Sequence, residues 1–369
     1  MPLPSSGSPN AIEMARFTMS KDRNTEALRD AGLAVIVLGV VIAGLVYGRS
    51  FLVPLAVAIF LWNVLEAMIQ GFAGIEIGAA KLPRWLATVL GIAVVLLGFY
   101  LVFSVLLGQA DAVAAAWPRY IARFEAIVSD LTQWLGPDRS AKLKEAMAAI
   151  DLTRQIPGLI SSTQSIATSF LIVLAYVGFL FAETGYVGKK IAAMFPDEQK
   201  ARETAQLFAT ISESVQRYIW IKTLMSVLTG GACYVVLKLI GVDFAETWAL
   251  LIFVLNYIPN IGSIIAVAFP AVLTLVQFET AGPFIILVVS LTAIQLAIGS
   301  VLEPMLMGKS LNMSPFAIIL GLAFWGTLWG VVGMFLSVPI LVVVMIVCAH
   351  VPSWRWVAIL LSKDGRIAT

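Results

Sequence analysis

Apolar positions gather into eight long runs along the chain, 31–47, 50–69, 85–107, 166–183, 219–240, 248–278, 282–302 and 315–349. A helix needs about 20 mostly apolar residues to cross the hydrocarbon core of a bilayer, so each run reads as a membrane segment. Two of them, 248–278 and 315–349, are longer than a straight crossing requires, and both contain helix-breaking residues. The pattern predicts an all-α polytopic membrane bundle with broken or re-entrant helices in its C-terminal half.

Most charged residues fall in three stretches, 1–30, 108–165 and 184–218. The organisation that follows is a cytoplasmic tail over 1–30, three transmembrane helices over 31–107, an extracytoplasmic helical insert over 108–165, a C-terminal bundle over 166–350 and a tail over 351–369. Within the insert, Tyr120, Phe124, Ile127, Leu131 and Leu135 recur at helical spacing, while Pro118, Gly136-Pro137 and Pro157-Gly158 punctuate it. Residues 197–217, inside the 184–218 stretch, read as a cytoplasmic amphipathic helix, with Ala205, Phe208, Ala209, Ile211, Ser212 and Val215 on its apolar side. Arg16, Lys21, Arg23 and Arg29 precede the first run with no small-residue cleavage site after it, which predicts a retained anchor. The positive-inside rule then puts the N-terminus in the cytoplasm, with Lys81, Arg84, Lys189, Lys190, Lys200 and Arg202 on the same side.

Composition sharpens this picture. Of 369 residues, 60% are hydrophobic and only 12% charged, and the mean hydropathy is +0.94. Soluble domains are nearer half apolar and a quarter charged, so an ordinary soluble enzyme is excluded. The net charge of +2 comes with no basic stripe, so no nucleic-acid partner is expected. Two cysteines, Cys233 and Cys348, and one histidine, His350, cannot build a disulfide scaffold, a Cys/His zinc site or a Ser-His-Asp triad in the spans. The zincin and nucleophile-elbow motifs are missing from the spans, so no enzyme, metal or cofactor is expected. Gly308-Lys309-Ser310 resembles the end of a phosphate-binding loop, but that loop needs glycine where Glu303 stands.

The breaks carry the candidate chemistry. In 248–278, Asn256-Tyr257-Ile258-Pro259-Asn260-Ile261-Gly262 interrupts an uncharged run. Proline removes a backbone donor and glycine permits a sharp turn. Inside lipid, freed backbone groups persist only where protein or a water-filled cavity satisfies them, and discontinuous helices in transporters put such groups at a substrate or ion site. A simple proline kink, or a loop between short helices, is the competing reading. The second break begins at Glu303-Pro304 and runs through Lys309 to Pro315. At membrane depth Glu303 and Lys309 must pair or face water; at the surface they are end-of-helix charges. In 315–349, Gly326, Gly330 and Gly333 have the spacing of close helix packing. Asn63 and Glu66 share one helix face, and Glu66 either reaches the headgroups or carries a coupling proton or cation.

Leu255–Ile265 with Pro270 downstream, together with Leu302-Glu303-Pro304, Gly308-Lys309-Ser310-Leu311, Ser314-Pro315, Phe324–Gly330, Gly333-Met334 and Val338-Pro339, resembles the two signatures of the autoinducer-2 exporter-like (AI-2E) transporter family. The match covers roughly 250–340 and the layout of the whole chain. The resemblance implies a bacterial inner-membrane protein that moves a small solute or ion without ATP, acting as a homo-oligomer among membrane lipids. Family members are associated with export of a quorum-sensing furanone, others with sodium/proton exchange.

The expectation is therefore an ATP-independent exporter of a small solute, with a sodium or lithium/proton antiporter, a passive channel and a non-transporting scaffold as alternatives. Its solute or cation path would run past Asn256, Pro259, Asn260, Gly262, Glu303, Pro304 and Lys309, with Glu66 as a further coupling candidate.

Overall fold

The computed structural model describes residues 32–33, 35–74, 76–77, 80–135, 163–307 and 312–366. The expected tail over 1–30, the central part of the insert and Lys309 lie outside the described residues. Two compact units emerge, Met1–Leu52 and Val53–Thr369. The first holds the short apolar helix α1 (Val35–Tyr47) and the start of α2 (Arg49–Ala73).

The second unit is almost entirely helical. After α2 comes a hairpin of two-residue strands, β1 (Glu76–Ile77) and β2 (Ala80–Lys81). There follow α3 (Arg84–Leu135), α4 (Thr163–Thr184), α5 (Val187–Met194), α6 (Glu198–Ile240), α7 (Ala245–Leu255), α8 (Ile261–Gln277) and α9 (Ala281–Gln295). A π-helical segment (Leu296–Leu302) leads into α10 (Glu303–Met307), then α11 (Pro315–His350) and α12 (Arg355–Leu361).

Among the described residues, five helices are long and apolar enough to cross a membrane by length and composition alone, one of them Pro315–His350, which folds back at Gly330, and a sixth is counted if the pair Ser169–Thr184 and Val187–Met194, bent by 62°, is one span. The eight apolar runs are therefore not eight straight crossings. Two stretches expected as separate elements are fused. Helix α3 runs through Pro118 without a break, because the alanine-rich Asp111–Trp117 stretch before it favours helix strongly. Helix α6 joins the amphipathic stretch to the following span, since neither glycine nor proline occurs between Glu198 and Thr229. Asp197 caps its start by accepting from the Gln199 amide at 2.9 Å, and Gly241, in left-handed backbone at φ +80°, ends it. Its packed side also differs from expectation: Leu207, Ile211 and Val215 meet the core, while Phe208 is exposed.

The two overlong runs are hairpins. Helices α7 and α8 pack on one another along their length with Leu287 and Leu291 of α9 and Leu237 of α6. Trp248 near the start of α7 stacks on Phe269 of α8 at 6.4 Å. At the open end the Gln277 amide donates to the Gly241 carbonyl at 2.8 Å and accepts from the Asp243 amide at 2.9 Å. With 11 and 17 residues the arms are about 16 and 25 Å long, too short to cross a 30 Å core one after the other. In α11 the helix breaks at Gly330, where φ is +63° and ψ is −143°. The arms on either side fold back, so that Gly321 lies against Leu341 and Gly326 against Met334.

These hairpins point in opposite directions along α6. The open end of α7–α8 sits at the Ile240 end, where Lys238 pairs with Glu246 at 2.5 Å, and its tip reaches Ser226. The open end of α11 packs near Val215, Tyr218 and Ile219 through Met313, Val342 and Ile346. Residues 351–366, expected as a tail, instead close that end. Ala358 is fully buried against Cys348 and Ala349, Ser314 donates its amide to the Leu361 carbonyl at 2.8 Å, and the Asn312 amide donates to Asp364 and to the Arg366 carbonyl.

Glycine is required where backbone meets backbone. A Cβ at Gly262 would overlap the Leu255 carbonyl, and one at Gly333 the Trp325 carbonyl. Gly262→Ala and Gly333→Ala are each expected to cost about 2–3 kcal/mol through forced displacement, whereas Gly231→Ala, with open space around it, gains up to about 1 kcal/mol of helix propensity. Thermal unfolding in detergent reads this as lowered midpoints for the first two and an unchanged or raised one for the third.

Candidate functional site at the hairpin tips

The α7–α8 tip is built to leave helix without leaving polar groups stranded. Asn256 is buried and donates through Nδ2 to Ser226 Oγ at 3.1 Å. The Tyr257 and Thr223 hydroxyls share a hydrogen bond at 2.7 Å, and the Tyr257 ring packs on Phe335 at 4.7 Å and Phe60 at 6.0 Å. Pro259, which brings no donor of its own, lends its carbonyl to the Ile261 amide at 2.7 Å, and the Gly262 amide reaches the Ile258 carbonyl at 3.0 Å. Asn260 adopts φ +61° and ψ −55°, and with the Pro259 carbonyl bonded to the Ile261 amide across it this is a γ-turn of positive φ, a rare and strained form.

Outside this tip lies a groove of about 590 Å³. Pro259, Asn260 and Ile261 form one wall, and Ile319, Leu322, Ala323, Gly326, Thr327 and Met334 of α11 form the other. The groove is mainly apolar, with the Asn260 amide and the Thr327 hydroxyl as its polar side chains. A pocket of this size, apolar with a few placed polar groups, is the ordinary form of a small-molecule site.

A buried ion pair lies on the same helix, α6, with Lys222 one turn before Ser226. Lys222 Nζ donates to both carboxylate oxygens of Glu303, at 2.7 and 2.9 Å, with side chains only 5% and 17% exposed. Glu303 follows directly on the π-helical segment, a distortion that is frequently found at functional sites. Pro304 comes next and cannot donate to the helix behind it. Nearby on α6, one turn before Lys222, the Tyr218 hydroxyl is buried with no hydrogen-bond partner, as are Gln295 Nε2 and Ser337 Oγ elsewhere in the bundle.

A profile of AI-2E family transporters matches residues 33–353. The chain belongs to the AI-2E transporter family. It is 28% identical over 338 residues to the AI-2 transport protein TqsA of Escherichia coli K12, covering 89% of this chain and 95% of that one. A Haemophilus influenzae protein, provisionally named as a transport protein, is 27% identical over 339 residues, covering 90% of this chain and 95% of its own. A Borreliella burgdorferi protein with the same provisional name is 39% identical over 204 residues, 55% of each chain. This is a multi-span membrane protein of a transport family.

Within this AI-2E family chain, the structure brings Asn256, Pro259, Asn260 and Gly262 together at one tip and sets Gly326 in the same groove. Glu303 and Pro304 lie at the ion pair instead, and the partner of Glu303 is Lys222. Glu66 stands apart from both: it accepts from Arg84 at 3.1 Å and from Gln70 at 3.4 Å, and Arg84 is 75% exposed. Glu66 is itself buried, two turns before the end of α2, so the pair joins a buried carboxylate to an exposed guanidinium. Gly330, expected as a packing glycine, has open space where a side chain would stand; its role is the positive φ that turns the chain, while Gly326 and Gly333 make the close approaches.

Sequence reasoning passed over Lys222, although a cation a few residues inside the 219–240 run is a signal in itself. It also missed the polar cluster at the open end of α7–α8. There Arg119 and Tyr120 of α3 donate to Asp243, and Glu246 accepts from Gln109 at 3.1 Å and Tyr234 at 3.3 Å while pairing with Lys238. The Lys238 hydrogen bond is the largest cause holding the Glu246 carboxyl down at about 2, below its ordinary 4.5. A carboxylate with a depressed value stabilises the fold above the unfolded value and loses that contribution as pH falls through the folded one. Acidification from pH 4.5 towards 2 is therefore expected to loosen this end of the hairpin, read as faster amide exchange over 241–248, and Glu246→Gln should remove that acid-dependent component.

Proposed function

We propose that this AI-2E protein is an ATP-independent secondary transporter that exports a small solute, of the kind represented by autoinducer-2, across the bacterial inner membrane, and that the solute passes the α7–α8 tip. The observation that carries the reading is the groove between Pro259–Ile261 and α11, placed where two opposed hairpins interrupt the membrane helices. Interrupted helices supply polar backbone at depth, and a groove beside them supplies a place for the solute. The signal-molecule assignment draws on TqsA, whose name gives AI-2 as its cargo. The protein would work as a homo-oligomer embedded in lipid, with its N-terminus in the cytoplasm.

A second reading, sodium or lithium/proton exchange, is favoured by one specific observation, the ion pair of Lys222 and Glu303 buried inside the bundle. Counterflow in proteoliposomes separates the possibilities. A carrier of the furanone signal shows uptake stimulated by internal unlabelled signal; an antiporter shows sodium or lithium movement under an imposed pH gradient; a pore shows current without exchange stimulation; a scaffold shows none of these.

Ala323→Trp places a large ring in the groove from an exposed helical position. It is expected to lower flux at least tenfold while leaving the thermal midpoint within a few degrees of wild type; undiminished flux would remove the groove from the path.

Threading is tested separately. Cys233 and Cys348 are both buried, so the natural chain is a quiet background for labelling. Cysteines introduced at the exposed positions Glu125 and Lys200 should react with an impermeant maleimide from the periplasmic and the cytoplasmic side respectively, and labelling of both from one side would reverse or break the proposed path.

A further inference from the structure

We infer that the Lys222–Glu303 pair is a proton-binding switch, in which the lysine ammonium acts as a tethered stand-in for the proton and the pair locks the π segment and α10 onto α6 until a proton displaces it. The inference deepens the transport reading and rests on it for its link to flux, though not for the titration itself.

The argument begins with net charge. With Glu303 ionised, the pair is neutral as a unit, and each carboxylate oxygen accepts one lysine hydrogen bond at 2.7 or 2.9 Å. Adding one proton to Glu303 leaves an unpaired ammonium in a site where Lys222 is only 5% exposed. An isolated buried cation is far more costly than a buried pair. The protonated site therefore cannot remain closed as it stands: water must enter, or the segment carrying Glu303 must move off α6. One proton taken up from one aqueous phase and later released to the other is the whole of the chemistry, and no bond other than the carboxyl O–H forms or breaks.

Local structure suits such a release. Glu303 is held at the end of the π-helical segment Leu296–Leu302, where the helix already departs from α register, and Pro304 cannot supply the next backbone bond. Tyr218, one turn from Lys222 on the same helix, has a buried hydroxyl with no partner. It is an available donor or acceptor for a water entering beside the pair.

Among the described residues, the ionisable groups around the pair are few. Alpha10 packs on α6 and on the π segment; α6 contributes Lys222 and Tyr218, and Leu296–Leu302 contains no ionisable residue. Tyr257, from the α7–α8 tip, reaches α6 through Thr223 beside Lys222.

The test uses the whole protein in lipid. Infrared difference spectra of glutamate-labelled protein, recorded across an acid titration, should show a protonated-carboxyl band that is present in wild type and lost in Glu303→Gln. In parallel, flux in proteoliposomes should depend on pH in wild type, and the neutral double variant Lys222→Met/Glu303→Gln, which leaves no lone charge behind, should retain its fold with at least a tenfold loss of that pH dependence. If the double variant keeps the wild-type pH profile, or the band persists in Glu303→Gln, the switch is overturned and the pair is a structural lock. If the Glu303 band titrates while no solute or cation moves in any arm, the transport reading fails and the proton site stands.

Discussion

The constraint on which this structure turns is the cost of an unsatisfied peptide group in hydrocarbon. A straight spanning helix meets it automatically, and a helix that stops part-way does not. The first interruption in the C-terminal half is consequently sealed at short range, and the second closes by direct backbone packing. At the first, Ile261 and Gly262 return their amides to Pro259 and Ile258, and Asn256 and Tyr257 are pinned to Ser226 and Thr223 of the neighbouring helix. At the second, Gly333 lets the returning arm lie directly against the Trp325 carbonyl. Glycine and proline at these points are not signs of looseness; they are what allows the two turns to close.

Helix α6 is the common support. It is long because nothing in Glu198–Thr229 stops it, and its successive turns meet Met313 and Ile346 of one hairpin, Glu303 of the π-distorted helix, and Asn256, Phe253 and Ala249 of the other hairpin. Small residues make the last of these contacts close: Gly230 lies within van der Waals reach of the α7 backbone.

Much of this was legible in the chain. Uncharged runs of excess length carrying Asn256–Gly262 and Gly326–Gly333 announced broken helices, because period and punctuation are local properties. The pairing of Glu303 was not legible, since its partner lies 81 residues away on another helix and Lys309 was the nearer cation in sequence. Gly330 was read as a spacer between helices because spacing alone cannot distinguish a glycine chosen for room from one chosen for a left-handed turn. The boundary expected at Pro118 failed for a similar reason: one breaker was weighed without the strong helix formers beside it. Arg119, Gln109 and Glu246 went unnoticed, and Tyr120 was placed only on an apolar face, because their meeting depends on α3 running far beyond its apolar portion.

The closure of α11 by residues 355–366 has a consequence for biogenesis. The strap is made later than the two arms it secures, so during synthesis this hairpin must wait, inserted but unfastened, until the strap has left the ribosome. Quality control that samples nascent membrane proteins would meet it in that unfastened state, and the rate at which the strap docks sets how long the exposure lasts.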